Sequence, residues 1–192
     1  GRGIVHSEMP LQRDGRMWGF QLWVNLPAKS KMVEPRYQEF PVTAIPVVDV
    51  SPTVSVKVIA GSFHGVSGPV VGIATDPSFL DVRFTPSDSA KEAAAFSHTV
   101  PAGHNVFAYV YRGAVRVAAG VQAKERHIVI FDQSESDARV EITADTASDA
   151  GVLLLGGRPI GEPVARRGPF VMNTWEELQQ AFADYASGRL QQ

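Results

Sequence analysis

Short runs of Val, Ile, Phe and Tyr alternate with polar residues along most of this chain, and Pro and Gly fall between the runs. A period of two puts alternate side chains on one face of an extended strand, so each run predicts a strand with one buried face. The pattern predicts strands at residues 20–26, 53–60, 79–84, 105–111, 114–117, 128–131, 140–143 and 152–155. Ser-Pro, Pro-Ala-Gly, Arg-Gly and Gly-Gly sequences supply the turns between them. Many short strands with closely spaced turn signals read as an antiparallel sandwich or barrel.

The period changes near the end of the chain. In "NTWEELQQAFADYASG", Thr174 reads as a helix N-cap, and Glu177 completes a capping box with it. Leu178, Ala181, Phe182 and Tyr185 follow at helical spacing, and Gly188 is a natural stop. One amphipathic helix packed on a sheet is therefore expected to close the fold. Upstream, "PVTAIPVVDVSP" at residues 41–52 carries closely spaced prolines and reads as a linker between two β units. "DSAKEAAAFSH" at residues 88–98 has some helical propensity but lies between strands, and reads as a loop or an irregular strand entrance.

Composition narrows the chemistry. The 192 residues can bury a core without disulfides, and the absence of cysteine excludes thiolate nucleophiles, cysteine-ligated zinc and iron–sulfur clusters. Eighteen basic against twenty acidic residues give a net charge of −2, so there is no strong positive field for a phosphate backbone and direct nucleic-acid binding is not expected. No apolar run is long enough to span a bilayer as a helix, which predicts no membrane partner. A cytoplasmic setting is expected, or a nuclear one if the source is eukaryotic, and the initial Gly points to processing or an excised fragment. Neither a Gly-x-Ser-x-Gly elbow nor a Gly-Lys-Ser/Thr phosphate loop is present.

The sharpest candidate chemistry is in "GRGIVHSEMP", where an extended backbone would put His6 and Glu8 on one face. Neutral imidazole and carboxylate together suit Fe(II), Mn, Ni or Zn, but two ligands rarely hold such an ion, and the other reading is two polar residues on a solvent face. His64, His98, His104 and His127 are scattered and read as surface or loop histidines. Arg166 and Arg167 read as solvated charges, and Trp18, Phe20, Trp23 and Tyr37 as core packing or the lining of an aromatic-ligand pocket.

Four stretches in order, "GRGIVHSEMP", "GFQLWVNLP", "KMVEPRYQEF" and "GEPVARRGPFVMNTWEEL", resemble the pirin family of the cupin superfamily. The resemblance implies an all-β bicupin: two jelly-roll antiparallel barrels face to face, a C-terminal helix, and iron in the first barrel only. It implies three histidine ligands and one glutamate, with His6 as the third histidine and Glu8 as the carboxylate. The remaining two come from a His-x-His on an earlier strand, expected to lie before Gly1. Residues 1–45 would then be the remnant of the first barrel, with part of the metal site, and residues 46–192 the second barrel and closing helix. On this reading the segment before Pro41 is mobile, aggregation-prone or paired with an upstream segment or a second chain.

In the second barrel, "TVPAGHNVFAYVYRGAV" carries mostly apolar residues where a metal-binding cupin carries its ligands, with His104 alone nearby and Gly113 at the following glycine. The implied activity is Fe(II)-dependent dioxygenation of flavonols such as quercetin, with Glu8 as the catalytic group that accepts the substrate proton. The alternative is a non-enzymatic, iron-dependent regulatory protein that binds transcription factors or metabolic enzymes.

Overall fold

A computed structural model describes residues 1–7, 9, 14–15, 17–87, 93–118, 120–145 and 149–190. By contacts the chain forms two compact units, Gln38–Pro159 and, separately, Gly1–Tyr37 together with Ile160–Gln192. This grouping puts the C-terminal helix with the N-terminal residues, where the sequence division at residue 45 puts it with the second barrel.

The unit Gln38–Pro159 is built from two antiparallel sheets. One has the order β1 (Val47–Ser51), β2 (Val54–Ala60), β5 (Ser78–Phe84), β12 (Ala150–Gly157), β7 (Asn105–Arg112), β10 (Ile128–Phe131). The other has the order β6 (Ala94–Val100), β11 (Ala138–Ala144), β8 (Ala114–Val117), β9 (Val121–Lys124). A two-strand hairpin, β3 (Ser62–Phe63) and β4 (Val66–Ser67), follows β2.

Alternation sets the core. Val54, Val56 and Val58 of β2, Leu80, Val82 and Phe84 of β5, and Val106, Ala108 and Val110 of β7 all face inward. They pack with Phe96 of β6, Val140 and Ile142 of β11, and Phe63 of the hairpin. Burying each of the larger side chains is worth about 1.5–3 kcal/mol. The corner between β7 and β8 needs glycine: Gly113 has φ +65°, and a Cβ there would collide with the Asp149 carbonyl oxygen. Gly151 on β12 has a different reason, since the Tyr111 ring covers the space a side chain would need.

Two expectations change here. The 41–52 segment forms a short 3₁₀ turn at Val42–Ala44 and then β1, which pairs with β2 from Val47 to Ser51. Its flanking prolines are tolerated because β1 is an edge strand. Of residues 88–98, those at 88–92 lie outside the described residues, and Ala94–Val100 is a regular strand fully paired with β11. Ladder pairing outweighs the helix propensity of its alanines.

The other unit holds a short helix α1 (Ala28–Lys31), a hairpin of β13 (Ala165–Arg167) and β14 (Phe170–Met172), and helix α2 (Trp175–Ala186). The capping box is formed: Glu177 N–H donates to Thr174 Oγ1 at 3.2 Å, and Thr174 N–H to Glu177 Oε2 at 2.9 Å. At the other end Gly188, φ +73°, closes a Schellman turn, with Arg189 N–H donating to Asp184 O and Gly188 N–H to Tyr185 O. Leu178 is buried, and the Phe170 ring meets Phe182 edge-on at 4.9 Å.

The strand expected at residues 20–26 is not formed. Phe20, Leu22, Trp23 and Val24 are exposed, as are Trp18 and Tyr37, so these aromatics are not core. Alternation supplies a suitable face, but a strand exists only where a neighbour takes its N–H and C=O groups. Among the described residues, no helix is long and apolar enough to cross a membrane.

Candidate functional site

The segment leading to His6 is anchored at its start. Arg2 N–H donates to Val33 O at 2.9 Å, and Arg2 Nη2 pairs with Glu34 Oε2 at 2.6 Å. His6 itself is exposed, its ring 6.5 Å from that of Tyr37 and tilted by 53°. Residues 1–7 make no strand, and Glu8 lies outside the described residues. Among the described residues, no three His, Asp or Glu side chains gather as ligands would. His6 alone is not a donor set for iron.

The other histidines are not all surface residues. His98 sits on the inward face of β6 opposite Val140, half-buried, with its ring 5.8 Å from Phe63 and 6.5 Å from Phe96. Burial lowers its pKa from the ordinary value of 6.5, and His64 adds repulsion. His64 stacks on the other flank of this cluster, 4.1 Å from Phe63, with φ +48°. His104 is buried, while His127 is exposed and its Nδ1 accepts from Lys124 N–H at 3.2 Å. The sequence could not show this, because inward or outward facing depends on register and not on residue type. Beside His104, the inward positions of β7 are Val106, Ala108 and Val110, all apolar.

A polar hub in the helical unit escaped sequence reasoning. Lys31 is only 6% exposed and donates from Nζ to Asn25 Oδ1 at 2.5 Å. Burial lowers its pKa, and Glu162 and Glu177 pull the other way. Glu162 Oε2 accepts from Ala28 N–H at 2.7 Å and from Asn173 Nδ2 at 3.0 Å. Glu177 Oε2 accepts from the backbone N–H of Asn173 as well as that of Thr174, each at 2.9 Å. The only legible signal was the capping role of Glu177, since Ala28 and Glu162 are 134 positions apart. Arg166 and Arg167 are exposed, yet each lies over a ring: Arg166 is 5.3 Å from the Trp23 centroid and Arg167 5.7 Å from that of Phe182.

Two antiparallel sheets around one apolar interior, with the tight Gly113 corner, define a cupin-type all-β fold. Residues 88–191 match the Pirin C-terminal cupin domain. The chain belongs to the pirin family. It is 47% identical over 190 residues to a pirin-like protein of Caulobacter vibrioides, covering 98% of this chain and 64% of that protein. Against Pirin-1 of Arabidopsis thaliana it is 37% identical, over 98% of this chain and 63% of that protein. The chain thus spans somewhat less than two thirds of the relatives it matches. In structure it resembles quercetin 2,3-dioxygenase of Acinetobacter baumannii, with a TM-score of 0.76 and 28% identity, over 88% of this chain and 55% of that one.

Proposed function

We propose that this chain is part of a metal-dependent pirin that oxygenates a flavonol-type substrate such as quercetin, with Fe(II) as its metal. The observation that carries this reading is the likeness, at 28% identity and a TM-score of 0.76, to a quercetin 2,3-dioxygenase. In this reading residues 1–45 end a first barrel and residues 46–192 make the second barrel and closing helix. His6 and Glu8 supply two of four metal ligands, and an earlier His-x-His strand of the intact protein supplies the others. Nitrogen and carboxylate donors of this kind suit non-haem Fe(II) with positions open to oxygen and substrate. Glu8 has the further role of accepting the proton of the flavonol hydroxyl. A cytoplasmic location belongs to the same reading.

The test is metal content and oxygen uptake. The intact protein, purified with Fe(II), is expected to carry close to one equivalent of metal, which His6→Ala removes, and to show quercetin-dependent oxygen uptake, which Glu8→Ala abolishes. Metal retained at the same level in His6→Ala would refute the ligand assignment. A metal-loaded protein without uptake would refute the activity.

A further inference from the structure

Four rings meet within the unit Gln38–Pro159. Phe63, in the β3–β4 hairpin, is buried and stacks on Phe96 at 5.5 Å. His64, the next residue, stacks on Phe63 at 4.1 Å, and His98 of β6 lies 5.8 Å from the same ring. We propose that this hairpin is a stopper of the barrel that acidification releases, with His98 as the trigger.

The two elements that meet here are held with different firmness. β6 pairs with β11 along its whole length, from Ala94 to Val100, so the backbone that carries His98 is fixed. The hairpin forms a two-stranded sheet of its own, in which Ser62 pairs with Ser67 and Phe63 with Val66. His64, φ +48°, and Gly65, φ +79°, make its turn, both in the left-handed region that a tight two-residue hairpin uses. At its base, Gly68 N–H donates to Gly61 O at 2.9 Å and Val70 N–H to Ile59 O at 3.2 Å. A small element with few backbone bonds opens before a strand paired along its length does. The packing of Phe63 into the barrel core is therefore what keeps the hairpin seated.

The charge on His98 acts on that packing. Val140 lies opposite it on β11, with Ala138 and Ile142 on the same face, and the inward residues of β2, which packs on β6, are Val54, Val56 and Val58. With Phe63 and Phe96, these side chains offer no acceptor for the two N–H groups of an imidazolium, so the charged ring requires water. Water reaches it where Phe63 withdraws. Arg139 and Glu141 of β11 alternate to the other face, where they pair with each other at 3.2 Å. Among the described residues, the titratable group that acts on His98 is His64, on the hairpin itself. Burial first, and His64 second, lower the pKa of His98 from its ordinary 6.5. At neutral pH His98 is therefore uncharged and Phe63 stays packed. As pH falls through the lowered value the imidazolium forms, and a charged His64 adds repulsion that drives the hairpin outward.

The experiment is NMR of the 192-residue chain from about pH 7.5 to about pH 5, with amide exchange corrected for its intrinsic pH dependence. Protection of the Gly68 amide is expected to fall about tenfold as His98 titrates, and the contact between the Phe63 and Phe96 rings to weaken with it, while β12 amides keep their protection. His98→Leu and His98→Gln, neither of which can charge, are expected to hold Gly68 protection constant over the range. His64→Asn, which suits the left-handed turn, is expected to move the His98 titration to higher pH. Constant protection in the wild type, a loss that persists in both His98 variants, a simultaneous loss in β12, or a His98 titration unmoved in His64→Asn would overturn the proposal.

Discussion

The two units of this chain solve the problem of burial in opposite ways. In Gln38–Pro159 each strand contributes one apolar face to a shared interior, and its inward positions are almost all Val, Leu, Ile, Phe or Ala. In the other unit, Asn173 is hydrogen-bonded to both Glu162 and Glu177, whose charges act on the buried Lys31, while Trp18, Trp23 and Tyr37 remain exposed. The contrast separates stability from chemistry. An apolar interior gives the barrel its core, whereas the helical unit buries the ammonium-bearing side chain of Lys31.

Removing the centre of the barrel should have the largest effect. Phe96→Ala deletes a ring that is 1% exposed and stacked on Phe63, and should cost about 3–5 kcal/mol in denaturant unfolding. The helical unit should respond less sharply to the loss of its cap. Thr174→Ala removes the acceptor of the Glu177 N–H and should cost about 1 kcal/mol, read as a shift in midpoint without a change in barrel signals. A barrel that unfolded with the cap mutant would break the distinction between the units.

The smallest effect is a dependence on pH. The pKa of His98 is lowered in the folded protein, so its neutral form is favoured there. Its contribution is fully present above about 6.5, the unfolded value, and is lost as pH falls through the lower folded value. Stability measured from pH 7 down to pH 4 should therefore fall less steeply in His98→Leu than in the wild type. Equal slopes would show that the histidine beside Phe63 and Phe96 does not report on the barrel.

Periodicity made much of the barrel legible. Strands expected at 53–60, 79–84, 105–111, 128–131, 140–143 and 152–155 correspond to β2, β5, β7, β10, β11 and β12, and residues 114–117 are β8. The alternation is strong there because each strand has one face in the core. β9, with the sequence Val-Gln-Ala-Lys and only Ala123 buried, had no such pattern to read. The capping box and the Gly188 stop were legible too, because helix ends are made by residues near one another in sequence. The His6/Glu8 proposal came from local spacing and family resemblance, and local spacing cannot show what surrounds a histidine.

What the sequence determined by itself was therefore local and periodic: an all-β chain, its main strands, a capped C-terminal helix, and a resemblance strong enough to identify the pirin family. Tertiary structure alone decided that residues 20–26 form no strand, that His98 faces inward, and that Glu162 accepts from Asn173 Nδ2 and from Ala28 N–H, the latter 134 positions away. The reason is physical. Strand pairing, side-chain facing and buried polar contacts depend on partners distant along the chain, and no local pattern specifies a distant partner.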